Sequence, residues 1–118
     1  MDESSDDAMT TEAWPPGDVV AILSTDLMDR SKLTAAWPDA SVVRTAAQLA
    51  DHGAKGACVI ADLRLAEASV LGELARAGVH VVAFGSHVDE ATLAAASAAG
   101  VDALPRSKFF RRIAEIGR

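Results

Sequence analysis

A single carboxylate, Asp62, lies at the end of an apolar run within ACVIADLRL, positions 57–65. β-prone residues that follow Gly56 and precede a charged turn predict a buried strand. Since the run does not alternate with polar residues, it is typical of a strand covered by helices on both faces. Ligands of such sheets bind outside the carboxyl ends of the strands, so Asp62 lies where chemistry is expected. An ordinary alternative is that Asp62 caps the following turn or pairs with Arg64 or Arg106.

Strand and helix patterns alternate along the rest of the chain. Short apolar runs predict four further strands, at 19–23, 41–44, 79–84 and 101–104. Helices are predicted at 27–37, from Thr45 to Asp51, at about 67–77, at 91–99 and after the turn at 105–107. Five strands that alternate with five helices indicate βαβ units. The expected fold is therefore α/β, a single doubly wound five-stranded parallel sheet with the flavodoxin-like strand order 2-1-3-4-5.

The predicted sheet brings polar residues from four strand ends to one edge. These residues are Ser24, Thr25 and Asp26 after the first strand, Asp62 at the third, Gly85, Ser86 and His87 after the fourth, and Arg106 and Ser107 after the fifth. Because strands 1, 3 and 4 are neighbours in the proposed order, we expect Asp26, Asp62 and Ser86 to share one small pocket. The alternative for Asp26 is the N-cap of the first helix. A nucleophile–base pair of Ser86 and His87 would need hydrogen-bond contact, and a loop position is the simpler interpretation of His87.

From Asp18 to Arg118 the chain resembles a response-regulator receiver domain of the CheY-like type. Asp62, within VIADLRL, matches the aspartate that accepts a phosphoryl group in that family. Ser86, or Gly85 if the register slips by one residue, falls near the family's switch hydroxyl. The resemblance therefore implies that Asp62 is a phosphoacceptor and that Asp26 and Asp62 are candidate Mg²⁺ ligands.

Two positions depart from the receiver pattern. The family's acidic pair after the first strand is replaced by Ser24 and Thr25, which leaves Asp26 one step further along. Mg²⁺ prefers carboxylate and water oxygens, so this replacement should weaken its binding. The family's lysine after the fifth strand is replaced by Arg106, and a planar guanidinium is not interchangeable with a compact ammonium. The combination is typical of a degenerate receiver, or pseudo-receiver.

The charge distribution separates an acidic terminus from the predicted domain. Residues 1–17 contain five carboxylates and end in Pro-Pro-Gly, so they are predicted to form a disordered acidic tail that precedes a receiver-like domain at 18–118. Within that tail, Trp14 is a candidate for contact with the domain. The net charge of −6 and the pI near 4.9 argue against a nucleic-acid partner. The lone Cys58 is expected to be buried and inert.

The remaining patterns concern the cellular location of the protein, its metal sites and its basic surface. No signal peptide is visible, and no apolar run approaches the roughly 20 residues that span a bilayer, so a cytoplasmic protein without membrane contact is expected. One cysteine and three scattered histidines lack the spacing of a zinc site. A basic string on the last helix is a solvated face, or a docking surface for an acidic partner or the chain's own acidic tail; it consists of Arg106, Lys108, Arg111, Arg112 and Arg118.

These observations favour a stand-alone receiver-like module that binds a protein partner and has no catalytic activity. The resemblance implies that the fourth helix, fifth strand and fifth helix form the binding face, for a histidine kinase, a downstream effector or a second copy in a homodimer. The alternative is a functional receiver that a histidine kinase phosphorylates on Asp62, with Mg²⁺, in a two-component phosphorelay. A more distant alternative is a flavodoxin-like binder of a nucleotide or another anion at the same edge.

Overall fold

The computed structural model describes residues 14–116, in which five strands alternate with five helices. The strands are β1 (Val19–Leu23), β2 (Ser41–Val43), β3 (Cys58–Asp62), β4 (His80–Gly85) and β5 (Asp102–Pro105). The helices are α1 (Leu27–Ala36), α2 (Ala46–Asp51), α3 (Ala68–Arg76), α4 (Glu90–Ala98) and α5 (Arg106–Ile113). Most of the predicted acidic tail, residues 1–13, and the pair 117–118 lie outside the described residues. No helix within the described range has the length and apolar character needed to cross a bilayer.

All neighbouring strands are parallel, and the strand order is β2-β1-β3-β4-β5. The structure thus confirms the predicted doubly wound α/β sheet. β3 lies at the centre, and all five of its residues are buried. A central parallel strand has helices above and below it, which explains why its apolar residues do not alternate with polar ones.

Side-chain caps fix where several helices begin. Asp26 caps α1 and accepts a hydrogen bond from the backbone N–H of Asp29 at 2.9 Å. Thr45 and Gln48 form a reciprocal capping box at α2, and Asp89 caps α4. Such caps satisfy backbone N–H groups that have no partner within the helix. The helix-start interpretation of Asp26 is therefore confirmed.

The last helix differs from the prediction at its start. Residues 105–107 were expected to form a turn, but Pro105 ends β5 and Arg106 is already the first residue of α5. Proline suits this junction because its φ, −58° here, is close to the helical value and it has no N–H that needs a partner. Arg106 consequently lies on a helix at the edge of the sheet and not in a loop.

The two faces of the sheet are covered by different kinds of side chain. One face packs against α2, α3 and α4 through alanine, valine and leucine alone, and we call it the aliphatic layer. The other face packs against α1 and α5, and we call it the aromatic layer. It contains all five aromatic residues of the chain, namely Trp14, Trp37, Phe84, Phe109 and Phe110.

Trp14 packs into the aromatic layer, although the sequence pattern places it in the acidic tail. Its ring centroid lies 5.9 Å from that of Phe109 and 6.5 Å from that of Trp37. The guanidinium of Arg112 lies 4.4 Å from the Trp14 ring centroid, and the indole N–H donates to Asp102 Oδ2 at 3.2 Å. These contacts attach the first described residue to the C-terminal part of the fold.

Candidate functional site

The ends of β1 and β3 bring Ser24 and Asp62 to the carboxyl edge of the sheet. Leu23 and Ala61 are partners in the parallel register, and Ser24 and Asp62 are the next residues on the two strands. Both side chains are buried, with exposed fractions of 0% and 1%. On its other side Asp62 is the register partner of Phe84 in β4. The order of the strands therefore places Asp62 between the ends of β1 and β4, as expected.

Arg64 engages both oxygens of the Asp62 carboxylate. Its backbone N–H donates to Oδ1 at 2.9 Å, its Nε donates to Oδ1 and Oδ2 at 3.1 Å each, and its Nη2 donates to Oδ2 at 2.6 Å. The single Nε–H is shared between the two oxygens, so three N–H groups of Arg64 engage both oxygens of the carboxylate. The hydrogen bonds that Arg64 donates to Asp62 also raise the pKa of the Arg64 guanidinium above its ordinary value. This is the pairing with Arg64 that the sequence left open as an alternative.

A second buried carboxylate, Asp29, lies at the same edge, and sequence reasoning missed it. Its exposed fraction is 2%, and its Oδ1 accepts a hydrogen bond from Arg106 Nη2. Its Oδ2 lies 3.6 Å from Arg64 Nη2. The signal that could have found it is position: Asp29 is in the first turn of α1, and helices that follow parallel strands begin at the carboxyl edge.

Arg106 connects this edge to the aromatic layer. Its guanidinium carbon lies 5.1 Å from the centroid of the Phe110 ring and 5.6 Å from that of Phe84, within cation–π distance. The hydrogen bond to Asp29 raises the pKa of Arg106 above its ordinary value. A guanidinium can stack on rings and donate in its plane at the same time, whereas a compact ammonium offers only a point charge. The arginine therefore ties a buried carboxylate to the core.

Asp26 supplies a third carboxylate at the rim of this group. The hydrogen bond from the Asp29 backbone N–H is the main cause that lowers the pKa of Asp26, and the charges of Arg106 and Arg64 lower it further. Three carboxylates and two guanidinium groups thus interact at one edge. We call Asp26, Asp29, Asp62, Arg64 and Arg106 the Asp–Arg cluster.

The other predicted edge residues lie around this cluster. Gly85 is buried at the end of β4, whereas Ser86 is exposed and its Oγ accepts a hydrogen bond from the Val88 N–H at 3.3 Å. Thr25, His87 and Ser107 are also exposed. Ser86 and Arg64 line a common cavity of about 90 Å³, so Ser86 reaches the border of the cluster but makes its hydrogen bond within its own loop.

Comparisons with known proteins support the architecture. No protein-family model matches the chain, and no curated protein matches it. Among solved structures, a protein from Burkholderia pseudomallei K96243 described as pilus assembly-related superposes with a TM-score of 0.56 at 18% identity, over 85% of this chain and 92% of that one. A CheY-like protein (TadZ) from Pseudomonas aeruginosa PAO1 superposes with a TM-score of 0.52 at 18% identity, over 82% of this chain and 99% of that one. Together with the strand order, these likenesses show that the chain has a CheY-like receiver fold.

Proposed function

We propose that this chain is a pseudo-receiver, a receiver-like binding module that acts through a protein partner and carries out no phosphoryl chemistry. The observation that carries the proposal is the engagement of both Asp62 carboxylate oxygens by Arg64. A carboxylate that attacks phosphorus must present a free lone pair, and hydrogen bonds from a cation also lower its basicity. Asp62 would have to release Arg64 before it could accept a phosphoryl group.

The residues at this edge do not fit the Mg²⁺ that a receiver fold implies. Mg²⁺ needs a near-octahedral shell of oxygens, mostly carboxylate and water. Arg64 and Arg106 contact the two buried carboxylates, so a metal ion there would lie beside two cations. Among the side chains of residues 14–116, the buried oxygens without a hydrogen-bond partner are one hydroxyl, Ser24 Oγ, and one carboxylate oxygen, Asp29 Oδ2. Across residues 14–116 no group of three or more His, Cys, Asp or Glu side chains is arranged to hold a metal ion.

The end of β4 supports the same proposal. In the receiver pattern a hydroxyl residue after this strand reads out the phosphoryl group. Of the two candidate positions here, Gly85 ends the strand and has no hydroxyl. A Cβ at Gly85 would lie 3.1 Å from the Leu63 Cδ1 atom, so even a small side chain would press against Leu63. At the other position, Ser86, the hydroxyl oxygen accepts a hydrogen bond from the Val88 N–H of its own loop. In this proposal the edge is a fixed charge network and not a phosphorylation switch.

We further propose that the partner binds the face formed by α4, β5 and α5. The outer side of α4 exposes the alanines Ala91, Ala94, Ala95 and Ala98. Alanine loses no side-chain rotamer freedom on burial, so a partner can cover this surface at a low entropic cost. Since one neighbour in fold is described as pilus assembly-related, a component of such an apparatus is a partner class to test.

Phosphodonor treatment tests the absence of phosphoryl chemistry. The protein is incubated with acetyl phosphate, or with beryllofluoride, in the presence of excess Mg²⁺, beside an active receiver as a positive control. We expect no increase in intact mass and no shift of the amide signals around Asp62. A stoichiometric modification that Asp62→Asn abolishes would contradict the proposal and favour the alternative, a functional phosphoreceiver.

Matched surface variants test the partner face. Ala94→Arg places a bulky charge on the exposed side of α4, and Ala47→Arg makes the same change on the exposed side of α2. We expect a partner captured from the native host to bind the wild type and Ala47→Arg but not Ala94→Arg. Retention by Ala94→Arg would place the partner on another surface.

A further inference from the structure

An apolar groove runs along the outer side of the aromatic layer, between α1 and α5. It encloses about 430 Å³, and the side chains that line it include Lys32, Ala35, Ala36, Phe110, Ile113 and Ile116. Most of these side chains are apolar, and Ile116 keeps 36% of its surface exposed. A segment that covered the groove would remove this apolar surface from water, which is favourable. The groove therefore offers an apolar binding surface that adjoins the Asp–Arg cluster through Phe110, the ring beneath Arg106.

Positive side chains lie beside this groove. The Lys32 ammonium lies 5.3 Å from the centroid of the Phe110 ring. Arg111 is exposed on α5 three residues before Ala114, which also lines the groove, and residues three apart on a helix are neighbours. Within residues 14–116 the ion pairs are made by Arg64 and Arg106 at the sheet edge, so Lys32 and Arg111 have no carboxylate partner there. The groove thus favours an acidic occupant.

The chain itself supplies an acidic segment that precedes Trp14. Residues 1–13 contain five carboxylates, at Asp2, Glu3, Asp6, Asp7 and Glu12, and no Lys, Arg or His. The segment joins the described fold at Trp14, whose ring contacts Trp37 directly after α1 and Phe109 within α5. It therefore enters the fold between the two helices that line the groove.

The segment is long enough to reach along the groove. Thirteen extended residues span at most ~45 Å, whereas a ten-residue helix such as α1 is about 15 Å long. Attachment through a short link also gives the segment an effective concentration on the order of millimolar at the groove. A separate acidic protein or a second copy would have to compete against that concentration. Met9 provides a flexible apolar side chain that can fill an irregular gap.

We propose that the acidic segment at positions 1–13 binds its own domain in the groove between α1 and α5, with carboxylates beside Lys32 and Arg111. Any acidic partner that uses this groove must then displace the segment. The contact shares α5 with the proposed α4-β5-α5 face but involves no residue of α4 or β5. It does not depend on whether Asp62 accepts a phosphoryl group.

A spin label near the N-terminus tests this contact in the full chain. Ser4→Cys introduces a reactive thiol, while the buried Cys58, whose pKa burial raises to about 12, stays unlabelled. We expect the amide signals of Lys32, Ala35 and Ile113 to lose most of their intensity, and those of Ala47 and Val70 on the opposite face to keep theirs. Raising the salt to 1 M shortens the Debye length from about 10 Å to about 3 Å and should restore the lost intensity.

Charge-reversal variants and a mixing control complete the test. Lys32→Glu with Arg111→Glu should restore the intensity of the groove signals, whereas the matched pair Lys55→Glu with Arg76→Glu, which are exposed away from the groove, should not. Groove signals that keep their intensity in the wild type, or that stay weakened in Lys32→Glu/Arg111→Glu, overturn the proposal. Loss of intensity that appears when labelled and isotope-enriched molecules are merely mixed would identify a second copy as the occupant and overturn it as well.

Discussion

The aliphatic and aromatic layers cover the two faces of the sheet with side chains of different size. In the aliphatic layer small side chains let helices approach one another closely; a Cβ on Gly72 of α3 would lie 2.8 Å from the Cβ of Ala99, next to α4. In the aromatic layer large rings fill the space, and Phe109 alone contacts the rings of the other four aromatic residues.

The two layers also differ in the charged side chains that they contact. The side chains of the aliphatic layer are alanine, valine and leucine, which carry no polar group. The aromatic layer, in contrast, includes Phe84 and Phe110 under the guanidinium of Arg106, and Trp14 beside Arg112. Both the proposed fixed charge network and the proposed groove contact therefore adjoin the same half of the molecule.

The largest expected effect is the loss of the central ring of the aromatic layer. Phe109 is fully buried, so Phe109→Ala should lower the free energy of unfolding by about 3–5 kcal/mol. Leu71→Ala, at a fully buried position of the aliphatic layer, is the matched variant, and we expect a smaller loss because an aliphatic side chain leaves a smaller cavity. Urea unfolding followed by circular dichroism measures both. An equal or larger loss for Leu71→Ala would contradict the contrast between the layers.

A smaller effect is expected where the aliphatic layer is tightest. Alanine favours a helix over glycine by about 1 kcal/mol, but overpacking costs about 1–3 kcal/mol. Because the new Cβ at Gly72 would overlap Ala99, we expect Gly72→Ala to lower the free energy of unfolding by about 1 kcal/mol. Adding Ala99→Gly should recover part of the loss, a coupling that a double-mutant cycle detects. A Gly72→Ala protein more stable than the wild type would show that α3 and α4 can separate freely.

The smallest effect concerns the helix cap at the border of the aromatic layer. Since the pKa of Asp26 is lowered in the folded state, its charge stabilises the fold above the unfolded pKa, near 3.8. That contribution is lost as the pH falls through the lower folded value. Asp26→Asn retains a capping oxygen without the charge. We expect the melting temperature of the wild type to exceed that of Asp26→Asn at neutral pH and the difference to shrink below pH 3.8. A difference that stays constant with pH would contradict this role.

The sequence was sufficient to predict the fold because its signals are local. Apolar runs, the glycines and prolines between them and the capping residues Asp26, Thr45 and Asp89 indicate each element without knowledge of the others. Asp62 and its alternative partner Arg64 were also recognisable, since they are two residues apart.

The rest of the site depends on contacts between distant residues. Asp29 and Arg106 are separated by 77 positions, and only the parallel sheet brings the first turns of α1 and α5 together. The aromatic layer shows the same limit, because no local pattern indicates that Trp14, Trp37 and Phe109 pack together. Sequence reasoning placed Trp14 in the tail as a candidate for contact with the domain but could not say where it packs. Its ring contacts Phe109 and Arg112, near the other end of the chain.

The placement of the two tryptophans also makes the protein its own optical probe. The chain has no tyrosine, and both indoles lie in the same layer, 6.5 Å apart. Ultraviolet-excited emission therefore comes almost entirely from one half of the molecule. Tryptophan fluorescence alone would therefore not report unfolding in the aliphatic layer. Comparison of fluorescence with a signal from the whole fold would show whether the two layers unfold together.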